Sequence, residues 1–163
     1  MTTRTFATWV EPYAAQLREN REQVIAFACS LPAEAWDRPS PLPGWTYKDL
    51  LAHIGRGNDQ TFQDLLRTVV ARKPVDAKMF AVDANEANAQ GVGERRERSP
   101  DELIAELEDA GEEIQELLSQ LTDEHQHLRQ EDPPFHFEGY LRFVREESHD
   151  LEHLAQLRAA LER

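Results

Sequence analysis

Cysteine is almost absent from this sequence: Cys29 stands alone among 163 residues, so no internal disulfide can brace the fold. No apolar run approaches the roughly 20 residues that a bilayer-crossing helix needs, which argues against a membrane span. The first residues, MTTRTFATWVEPYAAQ, carry charge early and hold no apolar signal core, so a cytoplasmic location is expected. Basic side chains are scarce, with 18 against 31 acidic ones and a formal charge of -13. The densest basic stretch, ERRER at 94–98, is interleaved with glutamates and lacks the one-signed patch that nucleic acid or an anionic membrane requires. Neither partner is expected. There is no internal repeat and no convincing strand pattern. A chain of this length is expected to fold as one domain over residues 1–163 and to bury a core without metal, so that any metal serves function before folding.

What remains is helical periodicity. Phe6, Val10, Tyr13, Leu17, Val24, Phe27 and Leu31 recur at steps of three and four, apart from one longer gap, and mark an amphipathic first helix. RPSPLPG at 38–44 cannot continue it. A second helix starts at Thr46, with Asp49 placed for a variant capping box, and carries Leu50, Leu51, Ile54, Phe62, Leu65, Leu66 and Val69. Gly55 and Gly57 interrupt its middle, at about 1 kcal/mol each relative to alanine, which hints at close packing or an opening. Residues 73–98 form a long polar connection in which FAVDANEANAQ suggests a short extra helix, ended by Gly91 and Gly93. SPDE at 99–102 opens a third helix running to about Leu121. After the polar loop TDEHQHLRQEDPPFH, a last helix is expected from about Phe137 to Leu161. The fold class is all-α, a four-helix bundle with a long connection between helices two and three.

The last helix contains HDLEH at 149–153, whose two imidazoles stack four positions apart on one face, a spacing suited to gripping one metal ion. On a continuous helical wheel, Leu157, Phe143, Leu154, Tyr140, Leu151 and Val144 form the buried arc, while Arg142, Glu146, His149 and His153 fall within about 60° of one another beside it. On spacing alone the ordinary reading is a solvent-facing stripe with an Arg142–Glu146 pair. A third ligand reverses that preference, because catalytic zinc sites typically use three protein ligands and keep a fourth position open. His53 is the leading candidate, at the border of the second helix's apolar stripe and facing the bundle interior. His125, His127 and His136 fall in the polar loop and are expected to be solvated.

Two stretches, AWDRPSPLPGWTYKDLLAHI at 35–54 and HDLEHLAQLRAAL at 149–161, resemble the DinB-like superfamily of metal-binding four-helix bundles. That superfamily includes the N-terminal domain of mycothiol-dependent maleylpyruvate isomerases and bacterial thiol-dependent transferases. The likeness covers the loop, the GWT helix start, the LAH ligand and the last helix. It implies that His53, His149 and His153 are the three ligands of a divalent metal, and that Trp45 staples the start of helix two. Related isomerases can carry glutamate at the position of His149, and their additional C-terminal domain is not expected within these 163 residues. The resemblance therefore carries fold and site rather than the maleylpyruvate substrate.

Three neutral imidazoles around Zn²⁺ or Ni²⁺ leave a position open to substrate. A low-molecular-weight thiol there is deprotonated to attack an electrophile, as in a transferase or isomerase. Water there makes the enzyme a hydrolase. The competing class is a non-catalytic metal or small-ligand binder in stress response or detoxification. Glu146 is a candidate to orient a ligand or shuttle a proton, and Arg142 to pair an acidic substrate, with their mutual salt bridge the preferred reading of both. HDLEH also fits the inverted zinc-protease pattern with Glu152 as base, which is set aside because only ten residues follow His153 and a substrate-binding strand is lacking. Cys29 is expected to be a small buried residue, and Trp36 to cap the core. An exposed apolar helix face leaves a homodimer open.

Overall fold

The computed structural model describes residues 4–80 and 84–161. The first helix, α1 (Glu11–Ser30), begins later than the periodicity of Phe6 suggests, because residues 8–10 form a turn and Pro12 occupies the helix's opening positions. Helix α2 (Tyr47–Val70) starts where its local signal places it. The Asp49 backbone N–H donates to Thr46 Oγ1 at 3.1 Å, and the Thr46 N–H donates to Asp49 Oδ2 at 2.9 Å. The surroundings of Gly55 and Gly57 lie outside the described side chains.

The connection that follows holds a 3₁₀ turn at Ala77–Phe80 and helix α3 (Ala84–Arg95). Residues 81–83, part of the stretch expected to open the extra helix, lie outside the described residues. Gly91 and Gly93 do not end α3. The helix runs through both, with Gly91 and Val92 buried, and Arg95 Nε donates to Glu106 Oε2 at 2.7 Å, so tertiary packing overrides the propensity cost. Helix α4 (Pro100–Ser119) carries the expected capping box, with Ser99 N–H to Glu102 Oε2 at 2.8 Å and Glu102 N–H to Ser99 Oγ at 3.2 Å.

The stretch after α4 is ordered: one helical turn, α5 (Asp123–Gln126), precedes an antiparallel hairpin of β1 (Arg129–Gln130) and β2 (Phe135–His136). The last helix is also two helices, α6 (Phe137–Glu146) and α7 (His149–Leu161), broken at Glu147 and Ser148. Ser148 Oγ accepts from Asn20 Nδ2 at 2.9 Å and from the Leu151 N–H at 3.4 Å, bonds that replace those a continuous helix would have made there.

The four rods are α1, α2, α4 and the broken α6–α7 pair, with α3 against α2. Two apolar clusters fill the bundle. One gathers Val10, Phe62, Leu66, Leu118, Phe137 and Leu141; the other gathers Val24, Trp36, Leu50, Ile54, Leu107 and Leu154. Along α1 the clusters are separated by buried Asn20 and Arg21, and along the fourth rod by the break. No helix among the described residues is long and apolar enough to cross a membrane.

Candidate metal centre

His53 lies six residues beyond the first residue of α2, so the capping box that starts the helix also sets the direction of its side chain. His149 and His153 stand on the first turn and a half of α7. The fold brings the three together. His53 Nε2 is 2.9 Å from His149 Nε2, and His153 Nε2 is 3.0 Å from the same atom. All three rings offer a nitrogen within 4.8 Å of the others. His53 is 5% and His153 9% exposed, so the cluster sits within the bundle wall rather than on it.

Burial sets the charge. Desolvation, reinforced by the facing His149 and His153 rings and opposed by Asp150, pushes the His53 pKa down to about 3. Desolvation, then His153 and the Arg21 guanidinium, push His149 down to about 4. Both rings are neutral at pH 7 and keep a lone pair for coordination. Gln156 Oε1 lies 2.9 Å from His153 Nδ1; with Oε1 as acceptor the proton sits on Nδ1 and Nε2 faces the cluster with its lone pair.

Donor chemistry makes a cation fit. His149 Nε2 has two imidazole nitrogens at hydrogen-bond distance but carries at most one proton when neutral, so it cannot satisfy both well. The buried Nδ1 atoms of His53 and His149 have no hydrogen-bond partner among the described residues. One divalent cation held by the three Nε2 atoms would take up their lone pairs, with the proton of each ring on Nδ1. The two separations from His149 Nε2, 2.9 and 3.0 Å, are within about half an ångström of the roughly 3.3 Å between nitrogen ligands that tetrahedral zinc would require.

Sequence reasoning missed part of the surroundings. The Trp45 ring, expected only as a staple, packs on His53 with centroids 5.2 Å apart. Gln156 was readable as a neighbour of His153 at i+3, whereas Arg21, which donates to Asp150 beside His149, is 129 residues distant in sequence and left no local signal. Arg142 and Glu146 are exposed on α6, and the break removes the common stripe drawn through them and the histidines. Glu146 accepts from Arg145 at 3.4 Å rather than from Arg142. Phe143, assigned to the buried arc, is 59% exposed.

His125 is buried, not solvated. Its Nδ1 accepts from the Thr122 N–H at 2.9 Å and closes a capping box in which histidine replaces the usual acid. His136 is half-buried, and only His127 of the three is exposed. Cys29 is exposed, because Phe27, Ala28 and Leu31 turn the buried face of α1 away from it. Trp36 is buried as expected.

A helical bundle with three converging imidazoles defines the class of protein. The family described as mycothiol maleylpyruvate isomerase N-terminal domain matches residues 17–142, and the chain belongs to it. A crystal structure of the mycothiol-dependent maleylpyruvate isomerase superposes with a TM-score of 0.69 at 16% identity, covering 91% of this chain and 60% of that one. A histidine-to-alanine mutant of the mycothiol-dependent maleylpyruvate isomerase gives 0.61 at 15% identity, covering 74% and 48%. These likenesses show the DinB-like fold. The chain thus spans less than two thirds of the solved isomerase. Two uncharacterized proteins of Mycobacterium tuberculosis, from two strains, are 37% identical over 43 residues, which is 26% of this chain and 17% of theirs.

Proposed function

We propose that the chain is a metal-dependent enzyme in which His53, His149 and His153 hold one divalent cation, zinc or nickel, and a low-molecular-weight thiol is the activated cosubstrate for transfer to, or isomerisation of, a small electrophile. The observation that carries this reading is the meeting of three Nε2 atoms from two separate rods. Membership of a family described by a mycothiol-dependent isomerase supports the thiol over water, with hydrolysis as the variant of the same chemistry. When bound, the cation supplies Lewis acidity, lowering the pKa of the thiol or water that reaches it.

The chain's own residues do the rest. Burial keeps His53 and His149 unprotonated and therefore able to bind. Gln156 fixes the ring orientation of His153, and the Trp45 ring packs on that of His53. Arg142 and Glu146, exposed beyond the break, remain candidates only for substrate that reaches out along α6. The near-complete burial of His53 and His153 also favours a second reading, a protein that holds a metal or small ligand without turnover.

Elemental analysis of the purified chain beside a His149→Ala, His153→Ala variant tests the site. About one equivalent in the parent and none in the variant is expected, and equal content in both ends the metal reading. Assaying the loaded protein with mycothiol, bacillithiol, glutathione and water against a panel of electrophiles separates the two classes: no turnover with any pair leaves the binding protein.

A further inference from the structure

Resting on that metal-site reading, we propose that Arg21 is a positioning residue for the histidine cluster: it grips the first turn of α7 through Asp150 and so sets how His149 approaches His53 and His153. Arg21 is on α1, far in sequence from the site, and is only 7% exposed. Its Nε donates to Asp150 Oδ2 at 3.0 Å, and one terminal nitrogen donates to the Leu107 carbonyl of α4 at 3.1 Å. The fork of a guanidinium serves two such acceptors at once, which an ammonium on a flexible stem does less well.

The surroundings are shaped for this side chain. A Cβ at Gly111 of α4 would stand 3.1 Å from Arg21 Cγ, so the lack of a side chain there leaves room for the arginine stem. The preceding residue, Asn20, donates to Ser148 Oγ at 2.9 Å. Two consecutive residues of α1 therefore hold the residues on either side of His149.

The break explains why such a grip is needed. A residue inside a continuous helix inherits its direction from the preceding turn, but α7 begins at His149 itself, after a non-helical Glu147. Its opening N–H groups have no intrahelical partners, and the orientation of the turn must come from outside. A buried ion pair adds little net stability over an apolar pair of the same size, and its use lies in fixing one geometry. Here the geometry fixed is that of a ligand.

Cobalt(II), whose visible bands report coordination geometry, is the probe for the full-length chain. Its affinity, by chelator competition, is compared among the parent, Arg21→Met/Asp150→Leu, Arg21→Lys and His53→Ala. The double variant removes the two charges of this pair together. The proposal expects the parent to bind one cobalt, His53→Ala to lose it, and the double variant, with native helicity, to bind about 10–100-fold more weakly with altered bands. Arg21→Lys is expected between parent and double variant. Parental affinity and bands in both Arg21 variants overturn the proposal and leave the metal site standing. Should the double variant lose its helicity, Arg21→Lys decides alone: parental affinity overturns the proposal and weakened affinity upholds it. A parent that takes up no more cobalt than His53→Ala overturns both this proposal and the site beneath it.

Discussion

Acid acts on the metal-free protein through His53 and His149. In the unfolded chain each imidazole has the ordinary pKa of 6.5; in the folded chain they lie at about 3 and about 4. Above pH 6.5 neither state is protonated at these rings, and the folded protein has its full stability. Between 6.5 and about 4 the unfolded chain takes up protons that the folded chain refuses, so stability falls as pH falls, and the loss levels off once the folded rings protonate. One pH unit corresponds to about 1.4 kcal/mol per proton, so two units below 6.5 remove about 2.7 kcal/mol for each ring. The rings are neighbours and share one field, which brings the expected joint loss at pH 4.5 to about 3–5 kcal/mol. That is a large share of a typical net stability of about 5–15 kcal/mol. Urea unfolding followed by circular dichroism in EDTA, at pH 7.5 and 4.5, measures it against a His53→Gln, His149→Gln variant, in which the carboxylates titrate alike and cancel. If both proteins lose the same stability to within about 0.5 kcal/mol, the neutral buried cluster is refuted.

Other consequences are simpler to read. Thr46→Ala removes the acceptor for the Asp49 N–H at the start of the helix that carries His53, and a loss of about 1 kcal/mol is expected in chemical denaturation. Leu107→Ala empties a fully buried position and is expected to cost about 2–5 kcal/mol, visible as a lowered Tm. His125→Ala breaks a capping box away from the cluster, so it should lower stability by about 1 kcal/mol while metal content per folded chain stays unchanged. Binding of a paramagnetic cation beside His53 should quench the fluorescence of Trp45, whose ring lies 5.2 Å from that imidazole; the same titration of Trp45→Phe should lose most of the change.

Local signals were legible, and contacts between distant segments were not. Thr46 with Asp49 and Ser99 with Glu102 announce their helices because a capping box closes within four residues, and the structure forms both. TDEH at 122–125 was a box of the same kind, overlooked because histidine stands where an acid is usual. Gly91 and Gly93 misled because their helix propensity is weak, yet burial against α2 holds α3 through them. The spacing of His149 and His153 could be read from periodicity, and His53 from its place beside Leu50 and Ile54. Arg21 could not be read, since its value lies in partners on α4 and α7.

The break at Glu147 and Ser148 was hidden for a related reason. EESHD contains neither proline nor glycine, and a helical wheel drawn across it stays smooth. What interrupts the helix is an alternative set of partners: Asn20 donates to the Ser148 hydroxyl and Arg21 to Asp150, bonds available only once α1 lies alongside. A continuous wheel carries Arg142 and Glu146 into line with the histidines and loads that face with charge. The break dissolves that line, leaving both residues exposed on α6 while His153 and His149 turn toward His53. It also makes His149 the first residue of a helix, where the positive end of the helix dipole disfavours a protonated imidazole. The interruption thus works with burial: the device that aims the ligand also helps keep its lone pair free.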